Sequence, residues 1–163
     1  MARFEQSWRL AGRKIAVRPP QLDDAWLEGV PWLTGPTGRL GGVALYAGGR
    51  SAGARVACRT ATALGVRGVV CLAFPLHLPG RPDRSRAAEL LAPSVPRLVL
   101  QGSRDTFGGT AEVAAAVAGE PEVRLVDLPG ADHGYRLVRG AAWSAADLRE
   151  TLVAEVDRFV AGE

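Results

Sequence analysis

Gly49-Arg50-Ser51-Ala52-Gly53 is the stretch whose reading decides the fold, because of what stands on either side of it. Before it runs Gly42-Val43-Ala44-Leu45-Tyr46-Ala47, short, apolar and led by glycine, which predicts a buried strand. After it, Ala54 to Leu64 contains no Gly or Pro and predicts a helix. A strand, a tight Gly-x-Ser-x-Gly turn and a helix together hold a serine hydroxyl up at the end of a parallel sheet. Glycines on both sides of the serine fit a turn too sharp for larger side chains beside neighbouring backbone. The pentapeptide is common by chance in a glycine-rich chain, so its weight comes from its surroundings.

Two later apolar runs supply those surroundings. Pro96-Arg97-Leu98-Val99-Leu100-Gln101-Gly102 predicts a strand, with Asp105 in the loop that follows. Val123-Arg124-Leu125-Val126-Asp127-Leu128 predicts another, followed by Gly130-Ala131-Asp132-His133-Gly134. Ser51, Asp105 and His133 thus each fall just past the carboxyl end of a predicted strand. In parallel α/β sheets those ends converge on one edge, where ligands bind. The order nucleophile, acid, histidine differs from the orders found in chymotrypsin and subtilisin.

Outward from these motifs the chain alternates strand and helix, which calls for a parallel sheet with right-handed crossovers. Phe4 to Trp8 reads as a strand fragment, followed by a polar loop through Arg18. Pro19-Pro20 opens a helix in which Leu22, Trp26 and Val30 recur at helical spacing, with Pro31 expected to end it. Thr34 to Gly41 reads as a Gly/Pro turn. Val66 to Phe74 is a further buried strand, and Pro75 to Pro96 is irregular with a short helix near Ser85 to Leu91. A helix over about Thr110 to Ala118 precedes the last strand. Ser144 caps a final helix to about Val160, with Leu148, Leu152, Val156 and Phe159 along one face.

At 163 residues the chain, 1–163, reads as a single domain with a core rich in Ala, Val and Leu: 47% of residues are hydrophobic but only 6% aromatic. The net charge of +3 comes almost wholly from arginine, since Lys14 is the only lysine. The arginines are scattered, so no nucleic-acid footprint emerges. No apolar run is long enough to cross a membrane and Met1 to Leu10 has no signal-peptide core, so the expected location is cytoplasmic. Cys58 and Cys71 fall inside a predicted helix and a predicted strand and read as reduced core residues. Two histidines and two separated cysteines make no recognisable metal site, and no phosphate-binding glycine motif follows a strand. No cofactor or metal is expected.

A serine hydroxyl is a poor nucleophile at neutral pH and needs a histidine to take its proton and a carboxylate to orient that histidine. His133 suits the first role better than His77, which follows the strand after the elbow and suits a pocket wall. For the carboxylate, Asp105 competes with Asp127, which lies within a strand, and Asp132, whose adjacency to His133 hinders reach to the ring. Arg50, beside the nucleophile, is a candidate for steering an anionic substrate or for structural pairing.

These pieces, with Phe74-Pro75-Leu76-His77-Leu78-Pro79-Gly80 and Gln101-Gly102-Ser103-Arg104-Asp105-Thr106-Phe107-Gly108, resemble the α/β-hydrolase superfamily over nearly the whole chain. The branch resembled is the small dienelactone-hydrolase-like group with a Gly-Arg-Ser-x-Gly elbow, similar to the hydrolase-like domains of a testis-expressed protein and of a non-specific lethal chromatin-complex subunit. The resemblance implies a serine hydrolase using Ser51, His133 and Asp105, with the N–H of Ala52 in the oxyanion hole. Arg50, Leu76, His77 and Leu78 would line a shallow pocket for a small ester or other acyl substrate. It also exposes a gap: the upstream glycine-rich loop that gives a second oxyanion donor is missing, with the strand before it. The expectation is a truncated sheet of about five strands. Either Phe4 to Trp8 pairs with Val43 to Ala47, or the elbow strand keeps a free edge prone to self-association. The alternative function is a silent hydrolase-like binding module.

Overall fold

The structure is a computed structural model and describes residues 1–14 and 17–162. Four strands pair in parallel and in sequential order: β1 (Tyr46–Arg50), β2 (Gly68–Leu72), β3 (Arg97–Gly102) and β4 (Val123–Leu128). The helices are α1 (Ser7–Leu10), α2 (Pro19–Thr34), α3 (Ala52–Leu64), α4 (Ala87–Leu91), α5 (Thr110–Ala116) and α6 (Ala145–Ala161). When parallel strands are laid down one after another with right-handed crossovers, every crossover helix falls on the same face. The two sides of the core follow that rule. Val69, Cys71 and Val99 face α3, α4 and α5 through Ala57, Leu90 and Val113, while Val70, Leu98 and Leu100 face Leu148 and Phe159 of α6. The strict alternation along β2 and β3 is the pleat of strands covered on both faces.

Local chemistry sets most of the helix boundaries. Pro19 opens α2 where its missing N–H costs nothing, and Leu22 and Val30 are buried with Trp26 packed beside them. The expected stop at Pro31 does not occur. The helix runs three residues further, to Thr34, because Thr34 Oγ1 and the Gly35 N–H donate to the carbonyls of Val30 and Pro31 and hold the last turn together. Ser144 caps α6 by accepting from the Asp147 N–H, and the Asp147 carboxylate accepts from the Ser144 N–H in return. Arg59 bridges Asp23 of α2 and Glu89 of α4 at 2.6 and 2.5 Å, so the elbow helix α3 is tied on both sides. Cys58 and Cys71 are buried free thiols with sulfurs 3.5 Å apart. Their mutual hydrogen bond and burial hold the Cys71 thiol well above its ordinary pKa, so it stays protonated.

Two expectations about the amino-terminal half are corrected. Phe4 to Trp8 forms no strand, and the sheet has four strands among the described residues where about five were expected. The carbonyl of Gln6 accepts from the N–H groups of Arg9 and Leu10, which curls this segment into α1. A strand needs a neighbour to take its backbone bonds, and here local bonds take them. Phe4 instead packs edge-on against Trp26 at 5.3 Å, and Gln6 Nε2 donates to the Leu22 carbonyl. Secondly, the elbow strand begins at Tyr46 rather than Gly42. Gly42 has φ +76°, outside any strand, and Val43 is 64% exposed. The strand runs on through Gly48 and Gly49, which pair with Val70 and Cys71, right up to the serine. On the described residues β1 has a strand partner on one edge only, so the gap that was one of two expected outcomes is the one observed.

The two elbow glycines have different reasons to be there. A Cβ on Gly49 would lie 2.6 Å from the carbonyl carbon of Gly53, whereas a Cβ on Gly53 would meet nothing within 4 Å. Gly49 is therefore required by close backbone approach, and Gly53, in the first turn of α3, is not. Gly49→Ala is expected to destabilise the fold by about 1–3 kcal/mol through overpacking. Gly53→Ala is expected to be neutral or to stabilise by roughly 0.5 kcal/mol, since Ala suits a helix better than Gly. Urea unfolding of both variants measures the difference.

The loop after β2 carries a second test. His77 is buried, with Nδ1 2.8 Å from the Leu78 carbonyl and Nε2 3.0 Å from Glu112 Oε1. Both neighbours are acceptors, which favours the doubly protonated form of the ring. Its pKa is raised by the Leu78 carbonyl first and Glu112 second, against burial, and that of Glu112 is lowered by the Gly109 N–H and His77. A histidine raised on folding adds stability that is full below its unfolded value of about 6.5 and is lost as pH rises through the folded value. The lowered Glu112 adds stability that is lost as pH falls through its folded value. Stability should therefore decline on the alkaline side of about pH 6.5, and His77→Gln should flatten that decline in thermal melts taken across the range.

Candidate active site

The chain reverses direction at Ser51, and the backbone there is strained. Ser51 has φ 54° and ψ −115°, a region that side chains rarely occupy and that costs about 1–3 kcal/mol. The strain persists because both sides are fixed: the Ser51 N–H donates to the Leu72 carbonyl at 2.9 Å, and the Ser51 carbonyl accepts from Ala54 and Arg55 as α3 begins. The hydroxyl is thereby lifted clear of the sheet. Ala52 is the first residue of α3, so its N–H belongs to the helix-start group with no intrahelical partner, at the positive end of the dipole.

The structure brings Ser51, His133 and Asp105 into one hydrogen-bonded row. His133 Nε2 lies 2.9 Å from Ser51 Oγ, and Nδ1 lies 2.8 Å from Asp105 Oδ2. The Asp105 side chain is fully buried, while that of His133 is one-fifth exposed. Asp105 Oδ1 accepts from the Phe107 N–H at 2.8 Å, and Oδ2 also accepts from Gln101 Nε2 at 3.0 Å. The Phe107 ring lies over the imidazole with centroids 4.3 Å apart. A carboxylate on Nδ1 fixes the tautomer with its proton there, leaving Nε2 as the acceptor for the serine proton. The competing carboxylates are engaged elsewhere. Asp132 accepts from the N–H groups of Gly134 and Arg136 within its own turn, bonds to Arg136 foremost that hold it below the ordinary carboxylate range, and Asp127 accepts from Thr110 Oγ1 at 2.5 Å.

The loop carrying His133 is anchored at several points. Arg50 Nη2 donates to the His133 carbonyl at 3.1 Å, and its guanidinium sits 5.9 Å from the centre of the Tyr135 ring. Tyr135 has φ 62°, and its hydroxyl donates to the Leu100 carbonyl of β3 at 2.8 Å. Burial pushes the Tyr135 phenol far up, so it remains a donor throughout the ordinary pH range. Arg50 therefore pairs structurally with the histidine loop while its side chain also borders the cavity above the serine.

That cavity has a volume of about 880 Å3 and lies between the elbow and the amino-terminal segment. Its walls include Arg50, Ser51, Ala52 and His133 on one side and Phe4 and Trp26 on the other. Leu76, His77 and Leu78, expected to line the pocket, do not border it. Their loop turns towards α5, where the His77 N–H donates to the Phe107 carbonyl and the ring meets Glu112; Leu76 is buried beside Gly108, and Leu78 is exposed. The residues missed in the sequence were Gln101 and the aromatic wall from Phe4 and Trp26. A lone amide in the apolar run Leu98-Val99-Leu100-Gln101 was the available signal for the first; nothing local marked the second. Among the described residues no group of three His, Cys, Asp or Glu is placed to hold a metal ion, and no helix is long and apolar enough to cross a membrane.

Solved structures with this arrangement of elements share little sequence with the chain. A serine hydrolase homologue from Coxiella burnetii is 18% identical, with a TM-score of 0.63 over 85% of this chain and 59% of its own. A serine hydrolase without a lid from Xanthomonas campestris is 24% identical, TM-score 0.58, over 89% of this chain and 60% of its own. Esterase 2 of Thermogutta terrifontis, solved phosphorylated by paraoxon, is 15% identical, TM-score 0.66, over 91% and 66%. The chain thus spans less than two thirds of the length of these structures. No curated protein matches it by sequence. The family model describing an alpha/beta hydrolase domain matches residues 2–161, nearly the whole chain, and with a parallel sheet that ends in this elbow the chain belongs to the α/β-hydrolase superfamily.

Proposed function

We propose that the protein is a serine hydrolase acting on a small ester or related acyl substrate. The observation that carries this reading is the unbroken row from Asp105 through His133 to Ser51, with both contacts below 3 Å, at the mouth of a cavity. Ser51 Oγ attacks the acyl carbonyl while His133 Nε2 takes its proton, and the Asp105 carboxylate stabilises the imidazolium that forms. The developing oxyanion is stabilised by the Ala52 N–H and the field of α3. Proton return from Nε2 expels the alcohol and leaves an acyl group on Ser51. Water, deprotonated by the same imidazole, then releases the acid and restores the serine.

A second reading, a silent hydrolase-like binding module, is favoured by one observation: the sequence before β1 holds no His-Gly-x-Gly-type loop to add a second backbone donor to that of Ala52. Losing one oxyanion donor lowers kcat by roughly a hundred- to a thousand-fold, which slows an enzyme without disabling its triad. Labelling therefore discriminates better than turnover. A fluorophosphonate probe should modify the wild type and spare Ser51→Ala; labelling that survives the substitution sinks the assignment. Hydrolysis of a short p-nitrophenyl ester should fall at least about a thousand-fold in His133→Ala. The segment from Pro75 to Pro96 packs away from the cavity and gives no deep cover, so short acyl chains should be preferred; rising kcat/KM with long acyl chains would contradict the small-substrate reading.

A further inference from the structure

Gln101 is the last polar residue before the Gly102 end of β3, and its side chain is fully buried. Its Nε2 faces three acceptors: Asp105 Oδ2 at 3.0 Å, the Gly108 carbonyl at 2.6 Å and the Phe74 carbonyl at 3.3 Å. Three oxygens around one end of the amide fix its orientation, since the flipped group would set an oxygen against oxygens. The other end, Oε1, is buried with no hydrogen-bond partner among the described residues. A buried acceptor left unpaired is unfavourable, so this amide is held for its donor end and not for a balanced set of bonds.

The placement of that donor is specific. Asp105 Oδ2 is the same oxygen that receives His133 Nδ1, so Gln101 and the imidazole share one lone-pair-bearing atom, while Oδ1 is taken by the Phe107 N–H. Two donors on Oδ2 and one on Oδ1 leave the carboxylate no free rotation about its last bond. The Gly108 and Phe74 carbonyls anchor the amide itself to the acid loop and to the loop after β2. We propose that Gln101 is the positioning residue of this site: its amide clamps the Asp105 carboxylate in the plane that receives His133 Nδ1–H, and so sets the tautomer and reach of the imidazole towards Ser51. The proposal rests on the hydrolase reading for its kinetic consequences but not for its geometric ones.

The ionisable groups that face the clamp are Asp105 and His133 themselves, Tyr135, which feels the Asp105 charge, and His77 and Glu112 beyond Gly108. Gln101→Met keeps the length and removes the donor. It should lower kcat on a short ester by about ten- to a hundred-fold with KM unchanged, the size expected for a lost hydrogen bond to a charged group. Gln101→Glu offers a donor only while the introduced carboxyl is protonated and shares its proton with Asp105. Its activity should therefore be lost at alkaline pH where the wild type keeps its own, and a purely structural amide would not move the profile in this way. A measurement independent of turnover accompanies these. In the wild type, the side-chain amide protons of Gln101 should be protected from solvent exchange, and Asp105→Ala, which removes the charged acceptor, should speed that exchange by at least about tenfold. Exchange unchanged in a folded Asp105→Ala overturns the clamp whether or not the protein turns over an ester. Absence of turnover in the wild type, with exchange that quickens in Asp105→Ala, would instead count against the hydrolase reading and leave the clamp standing. Kinetic parameters of Gln101→Met within twofold of wild type, in a folded variant, overturn it as well.

Discussion

The parallel pairing of four strands in sequential order is the constraint on which the rest of the structure depends. Because β1, β3 and β4 all point the same way, the residues just past their carboxyl ends meet along one edge although they are separated by 28 to 82 positions in the chain. Ser51, Asp105 and His133 each need only a short loop to reach that edge. No helix or strand has to bend for the site to form. At the turn after β1 the strain sits at Ser51, whose unfavourable backbone angles are held by β2 on one side and by the start of α3 on the other.

Around that edge the supporting contacts are mostly backbone carbonyls and buried donors, with few charges. Tyr135 reaches back to Leu100, Gln101 to Phe74 and Gly108, and Arg50 to the His133 carbonyl. Such bonds tie each loop to a strand already fixed by the sheet, so the loops inherit the rigidity of the core. The buried carboxylate of Asp105 is held by hydrogen bonds from Phe107, Gln101 and His133, with no arginine or lysine bonded to it among the described residues. A carboxylate paired with a fixed cation would be a weaker partner for an imidazolium, so neutral donors around Asp105 suit its place behind His133. The charged network Arg55, Glu89, Arg59 and Asp23 lies on the far side of α3, where it fixes the helix that carries Ala52 rather than the chemistry.

The amino-terminal part behaves differently from the rest. With β1 paired on one edge only among the described residues, Phe4 and Gln6 pack on α2, and the space between them and the elbow is the cavity above Ser51. The wall of the cavity that faces Ser51 is thus made by aromatic side chains seated on a helix, and the wall that carries Ser51 is made by the sheet.

The sequence by itself determined what depends on neighbours along the chain. The glycine that Ser51 needs at position 49, the Ser144 cap, the proline start of α2 and the apolar face of α6 are all local patterns. The preference for Asp105 over Asp132 and Asp127 as the partner of His133 rested on equally local facts, that Asp132 is the neighbour of His133 in the chain and Asp127 lies inside a strand. Only the tertiary structure decided the fate of Phe4 to Trp8, the true limits of β1, and the roles of His77 and Gln101. A strand exists only where another strand takes its backbone bonds, and no pattern inside Phe4 to Trp8 or Gly42 to Ala47 says whether one is there. A buried histidine or glutamine likewise takes its role from the acceptors that surround it. For His77 these are Leu78 and Glu112, and for Gln101 they are Phe74, Asp105 and Gly108. Glu112 and Phe74 are far away in sequence from their partners and are brought close only when the sheet has formed, and Asp105 and Gly108 reach Gln101 only because the loop after β3 folds back over it.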